Sequence, residues 1–161
     1  MLVTAVSFPT VALAVHILFV VGTLGFVIGY PVIALAVERI DPRAMPVLHR
    51  ARALIGRALV DPGLLVVVIA GVYLASHLHL WSHFFVQWGI AAAVVIGGLE
   101  GALVIPQAKR LAELASRDVE RAGVGGVQWG SGYVTARNRA NLVGWAQALL
   151  VAATVVVMTV Q

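Results

Sequence analysis

Three histidines fall within seven residues in the stretch Tyr73-Leu-Ala-Ser-His-Leu-His-Leu-Trp-Ser-His-Phe-Phe85, in a chain that has five in all. Imidazole is the commonest side-chain ligand for metals and titrates near neutrality. The cluster of His77, His79 and His83 therefore raises the question of a metal or haem centre. His79 and His83 are four apart, which is metal-ligand spacing if the segment stays helical. A turn between two apolar segments must fall near Leu80–Ser82, and it would break that register. The alternative for these two is a pair of solvated residues at an interface.

Outside this stretch, five more polar groups stand in apolar surroundings. His16, Thr23 and Tyr30 recur every seven residues and so share one helical face. They form either a ligand or proton-relay stripe or a set of packing hydrogen bonds. Glu100 is the carboxylate set deep in an apolar run, about 13 Å of helical rise from Lys109. Gln147 lies about 12 Å from Arg139 by the same rise, so the two can share a depth and a hydrogen bond. Glu100 then reads as a proton- or cation-handling group, or as one half of a clasp to Gln147 or of a pair with Arg57. Polar groups in hydrocarbon are expensive, which makes each a functional candidate.

The elements that hold these residues are set by the composition. Of 161 residues, 61% are hydrophobic and 11% charged, against about 25% charged in soluble domains. Mean hydropathy is +0.98. Too little polar surface exists to cover a water-soluble globule of this size, and an integral membrane protein is the class implied. The absence of cysteine excludes disulfides and thiolate chemistry. Four apolar runs are long enough to span a bilayer, about 8–37, 62–80, 84–105 and 142–160. They predict an all-α protein, a single domain over 1–161, built as a four-transmembrane-helix bundle. The first run lacks a basic lead and ends in Glu38-Arg39, so it reads as a retained span rather than a cleaved signal.

All eleven basic residues lie in the two long connections, 38–61 and 106–141. The positive-inside rule places both segments in the cytoplasm and both termini outside, in a bacterial-type inner membrane. Trp81 and Trp88 suit an outer aromatic belt and Trp145 an inner one. The pI near 10.4 reflects these flanking charges, so the partner implied is the lipid bilayer and not nucleic acid. The segment Ala44–Gly63 reads as a cytoplasmic amphipathic helix before span two. Val47, Leu48, Ala51, Leu54, Ile55, Ala58 and Leu59 form its apolar face, and His49, Arg50, Arg52 and Arg57 the polar one. Asp61-Pro62 reads either as the cap and first residue of span two or as a kink in one long helix. Span three extends into a charged helix. The five glycines of Gly123–Gly132 read as a flexible connector. Gly25 and Gly29 in span one, with Ala93, Gly97 and Gly101 in span three, suit close helix contact within one bundle or across a homo-oligomer.

His77 lies about 22 Å from the inner start of span two by helical rise, and His16 is at a similar depth on span one. Two imidazoles from separate helices at one depth can ligate a metal or clamp a haem iron. No carboxylate orients Ser76 or Ser82, and no HExxH motif is present, so the sequence offers no catalytic set.

The stretches Ala14–Tyr30, Val60–Ala75 and Trp88–Ala115 together resemble the DUF2269 family of small integral membrane proteins. More distantly they are similar to HemJ-type protoporphyrinogen oxidases and CopD-type copper-handling proteins. The HemJ-type resemblance implies a haem-ligating histidine in the first span, which falls on His16. Three functional readings follow. One is binding of b-type haem or a metal between spans one and two near the outer face, by His16 and His77. Another is a small proton- or cation-coupled transporter using Glu100. The third is a non-catalytic accessory subunit whose polar groups serve packing.

Overall fold

The computed structural model describes residues 7–160, and all of its regular structure is helical. Four continuous helices are long and apolar enough to cross a membrane. The first is α1, Phe8–Ile40. The second runs through Pro42–His77 as a 3₁₀ turn Pro42–Ala44, α2 Met45–Ile55, a π turn Gly56–Val60 and α3 Asp61–His77. The third, Phe84–Ala122, is α4 Phe84–Leu99, a π turn Glu100–Val104 and α5 Ile105–Ala122. The fourth is α6, Ser131–Thr159. Each of the four apolar runs expected from the sequence lies on one of these helices.

The second and third helices have 36 and 39 residues, or about 54 and 58 Å of rise. Both outrun a hydrocarbon core of about 30 Å. Their surplus halves, α2 and α5, carry most of the basic residues and pack against each other. We call this the basic end of the bundle and the opposite one the terminal end. At the terminal end α1 packs on α3 and α6, and α4 on α6 and α3, closing a four-helix ring.

Span two does not begin at Asp61-Pro62. The helix passes straight through, and Pro62 follows the π turn Gly56–Val60 by two residues. Pro106 follows the π turn Glu100–Val104 in the same way. A proline lacks an N–H and its ring crowds the carbonyl four residues back. The wider π turn absorbs both problems without a break. The sequence repeats here: Ala-Leu-Val-x-Pro occurs at 58–62 and again at 102–106. The two π turns face each other across the bundle.

In the helix before span two, residues of the expected apolar face point out of the bundle and two of the expected polar face point into it. Val47 and Leu54 are 66% and 68% exposed, whereas His49 and Arg52 are buried. Residues 45, 49, 52 and 56 form the inward stripe. His49 and Arg52 turn inward because their hydrogen-bonding and ionic partners, Tyr30, Tyr133 and Glu100, lie there. The close-packing glycines also differ from the expected ones. Gly25, Gly29 and Gly101 have open space where a Cβ would stand, while Gly56, Gly63 and Gly89 are in tight contact with neighbouring side chains. Finally, the glycine connector is tied down. Arg43 Nη2 donates to the carbonyls of Gly123 and Gly125 at 2.7 and 2.6 Å, and Gly130 N donates to buried Asp118 at 2.9 Å.

Two apolar clusters hold the bundle. Leu24, Val27, Val60, Leu64, Ile96 and Val151 form a plug across its middle. Met45, Leu111, Ala115 and Tyr133 form a second cluster at the basic end.

Candidate functional site

A cavity of about 470 Å³ lies at the terminal end of the bundle, between the helices of all four spans. Its wall is aliphatic and aromatic, with residues such as Val20, Leu64, Phe85 and Ile90. Such a size and lining suit a drug- or cofactor-sized apolar ligand. His16 is the titratable side chain on that wall. Its Nδ1 lies 2.9 Å from the carbonyl oxygen of Val67 on α3. A carbonyl can only accept, so Nδ1 carries the proton and Nε2 is left with its lone pair free. This is the arrangement by which proteins orient metal-ligating histidines. Gly71, one turn further along α3, makes room for the ring: a Cβ there would stand 3.2 Å from His16 Cε1. Met158 brings a sulfur-bearing side chain to the same wall.

His77 is not on that wall. It is exposed and stacks on Tyr73, ring centroids 5.8 Å apart. His16 is level with Val67 and Gly71 instead, six to ten residues short of His77 along α3. The depths differ because His77 is the last residue of α3, whereas His16 lies about two turns inside α1. The structure thus does not bring His16 and His77 together across one cavity.

His79 and His83 both lie in the turn between α3 and α4. His79 has φ 58°, the left-handed region. Leu80 N donates to Ala75 O at 2.8 Å and His79 N to Ser76 O at 3.4 Å. Together these make a Schellman cap, with His79 where glycine or asparagine is usual. His83 is the N-cap residue of α4. Among the described residues no group of three His, Asp or Glu side chains is placed to hold a metal ion. Relief of the left-handed strain at His79 should make His79→Gly more stable by about 0.5–1 kcal/mol. A rise in the thermal midpoint of the detergent-solubilised protein checks this, and a fall would show that the imidazole does more than cap.

Thr23 and Tyr30 share the inward face of α1 with His16 but serve different layers. Thr23 is fully buried, donates to its own helix at Phe19 O, and packs against Gly63. Tyr30 belongs to a polar network at the basic end. Its hydroxyl lies 3.0 Å from His49 Nδ1, and His49 Nε2 lies 3.1 Å from the Tyr133 hydroxyl. Thus α1, α2 and α6 are joined through one buried imidazole.

Next to this chain lies the bundle's strongest electrostatic feature. Arg52 makes a bidentate pair with Glu100, its Nη2 being 2.7 Å from Oε2 and its Nη1 bonded to Oε1. The two side chains are 4% and 0% exposed. The guanidinium carbon is 5.1 Å from the ring centroids of both Phe26 and Tyr30, where the quadrupole of an aromatic face attracts a cation. Glu100 is therefore an engaged carboxylate, and its partner is Arg52 rather than Arg57 or Gln147. Gln147 donates instead to the carbonyl of Ile96 at 3.3 Å. The sequence reading singled out Glu100 and Tyr30 but missed Arg52, His49 and Tyr133. The doubled Ala-Leu-Val-x-Pro marks the level of the pair, because Gly56 and Glu100 each stand six residues before its proline, but it does not single out Arg52, His49 or Tyr133.

No protein-family model, curated protein or solved structure matches this chain.

Proposed function

We propose that this chain is a four-span integral protein of a bacterial inner membrane, and that its terminal-end cavity binds b-type haem through His16. The topology rests on the confinement of all eleven basic residues to the two long connections. Both termini are then outside and the haem cavity lies in the outer half. The Arg-bearing half of the second helix lies at the cytoplasmic interface, with Val47 and Leu54 toward acyl chains and Arg50 and Arg57 reaching to headgroups.

One observation carries the binding reading: an imidazole fixed by a backbone carbonyl, its other nitrogen free, on the wall of an apolar cavity of about 470 Å³. Haem needs such a ligand and such a wall, and its iron supplies the redox or gas-binding chemistry. Met158 is the second side chain on that wall with an atom able to bind iron. His77 has no place in the set.

The test is the visible spectrum of protein purified in detergent from haem-replete cells. A Soret band should be present, lost in His16→Ala and kept in His77→Ala. Colourless protein at full recovery from such cells sinks the reading.

A further inference from the structure

A second cavity, of about 50 Å³, lies on the other side of the apolar plug, toward the basic end. Its wall is mixed: aliphatic residues such as Leu35, Val104 and Leu111 alternate with the polar side chains of Tyr30, His49, Arg52, Gln107, Asn141 and Gln147. Two buried side-chain atoms find no hydrogen-bond partner among the described residues, Arg52 Nε and Gln107 Oε1, and both residues belong to this wall. One is a donor and the other an acceptor. Leaving both unmet in a dry interior would cost about 1–3 kcal/mol each. Val27 lines the cavity too, and its carbonyl lacks the usual helical donor because residue 31 is proline.

Water meets all three needs. A water needs a cavity of at least about 10–15 Å³, so one of about 50 Å³ has room for a small cluster. It is too small for the apolar ligand suited to the other cavity. Its rim toward the basic end is formed by the Arg137–Glu38 pair, whose side chains are 25% and 18% exposed. In the other direction the plug of Leu24, Val27, Val60, Leu64, Ile96 and Val151 intervenes. We propose that this cavity is a hydrated vestibule, holding a small water cluster against Arg52, open to water from the basic end and closed from the terminal end.

This explains how an arginine is held mid-bundle in an apolar chain. Charged groups inside membranes face water-filled cavities or one another, and Arg52 does both. Two nitrogens meet Glu100 and the third meets water. It also gives small water-borne solutes access to the middle of the bundle from one face, independently of any ligand at His16.

The chain has no cysteine, so single-cysteine variants report access without background. Asn141→Cys and Ala108→Cys place a thiol on the wall, from α6 and α5. Gly101→Cys, exposed and with open space around it, is the lipid-facing control. Silver ion is small enough to enter, and protection from later maleimide labelling reads its arrival. In sealed vesicles of known sidedness, silver on the basic-end side should protect both wall positions at least tenfold faster than Gly101→Cys. Silver on the other side should protect neither. Wall rates equal to the control, or equal from both sides, overturn the proposal. The unaltered chain gives a second reading free of folding effects. Solid-state NMR should show magnetisation transfer from water to the Arg52 Nε proton, and its absence would mean a dry cavity.

Discussion

Arg52→Met should destabilise the protein by about 3–5 kcal/mol, the cost of leaving a buried charge without its partner. Glu100, whose side chain is 0% exposed, then has neither solvent nor counter-ion. Glu100→Met should cost a similar amount, because it strands a guanidinium at 4% exposure between two aromatic rings. The double variant Arg52→Met/Glu100→Met should recover most of the loss, since apolar replacement of a whole buried pair is often neutral or stabilising. Thermal or denaturant unfolding in detergent, run as a double-mutant cycle, measures the coupling. Single variants that lose less than about 1 kcal/mol would mean that the pair is solvated and behaves like a surface bridge. Such a result would also set the stability of the bundle on the apolar plug and the Tyr30–His49–Tyr133 chain instead.

That pair shows where the sequence was legible and where it was not. The four helices were readable because hydropathy and length act locally: a run such as Leu142–Val160 has nowhere else to satisfy its backbone in lipid. Glu100 was readable as a site for the same reason, being a charge in an apolar run. Its partner was not, because the polar face of an interfacial helix can meet headgroups as well as a buried carboxylate, and hydropathy does not distinguish the two. In the structure Met45, His49 and Arg52 face in while Val47 and Leu54 face out. The same local reasoning fails for pairs of residues on different helices. Residue counts along single helices do not fix how two helices are set against each other: His77 ends α3 while His16 lies two turns inside α1, so that Val67 and Gly71 stand opposite His16. Glycine spacing is similarly silent on partners: within the bundle a Cβ at Gly25, Gly29 or Gly101 would meet nothing within 4 Å, since spacing alone does not say which face a neighbour occupies.

Gly56→Ala should carry the next largest effect, for a reason tied to the same pair. A Cβ at Gly56 would stand 2.6 Å from Glu100 Oε1, 3.0 Å from Ile105 Cγ1 and 3.1 Å from Arg52 Nη1. The carboxylate cannot swing aside without breaking one arm of its bidentate bond, and the facing π turn fixes Ile105. Overpacking of this kind costs about 1–3 kcal/mol, while replacing a helical glycine by alanine returns about 1 kcal/mol. A net loss of up to about 2 kcal/mol is expected, read as a lower unfolding midpoint. Gly25→Ala, with open space at its Cβ, should show the propensity gain alone and rise slightly. The two must also differ in coupling. In the Arg52→Met/Glu100→Met background, flexible apolar side chains replace the fixed charged atoms, and the Gly56→Ala penalty should shrink by at least half. A penalty that stays the same there would place the clash on Ile105 and the backbone. The glycine would then be required by the meeting of the two π turns rather than by the ion pair they enclose.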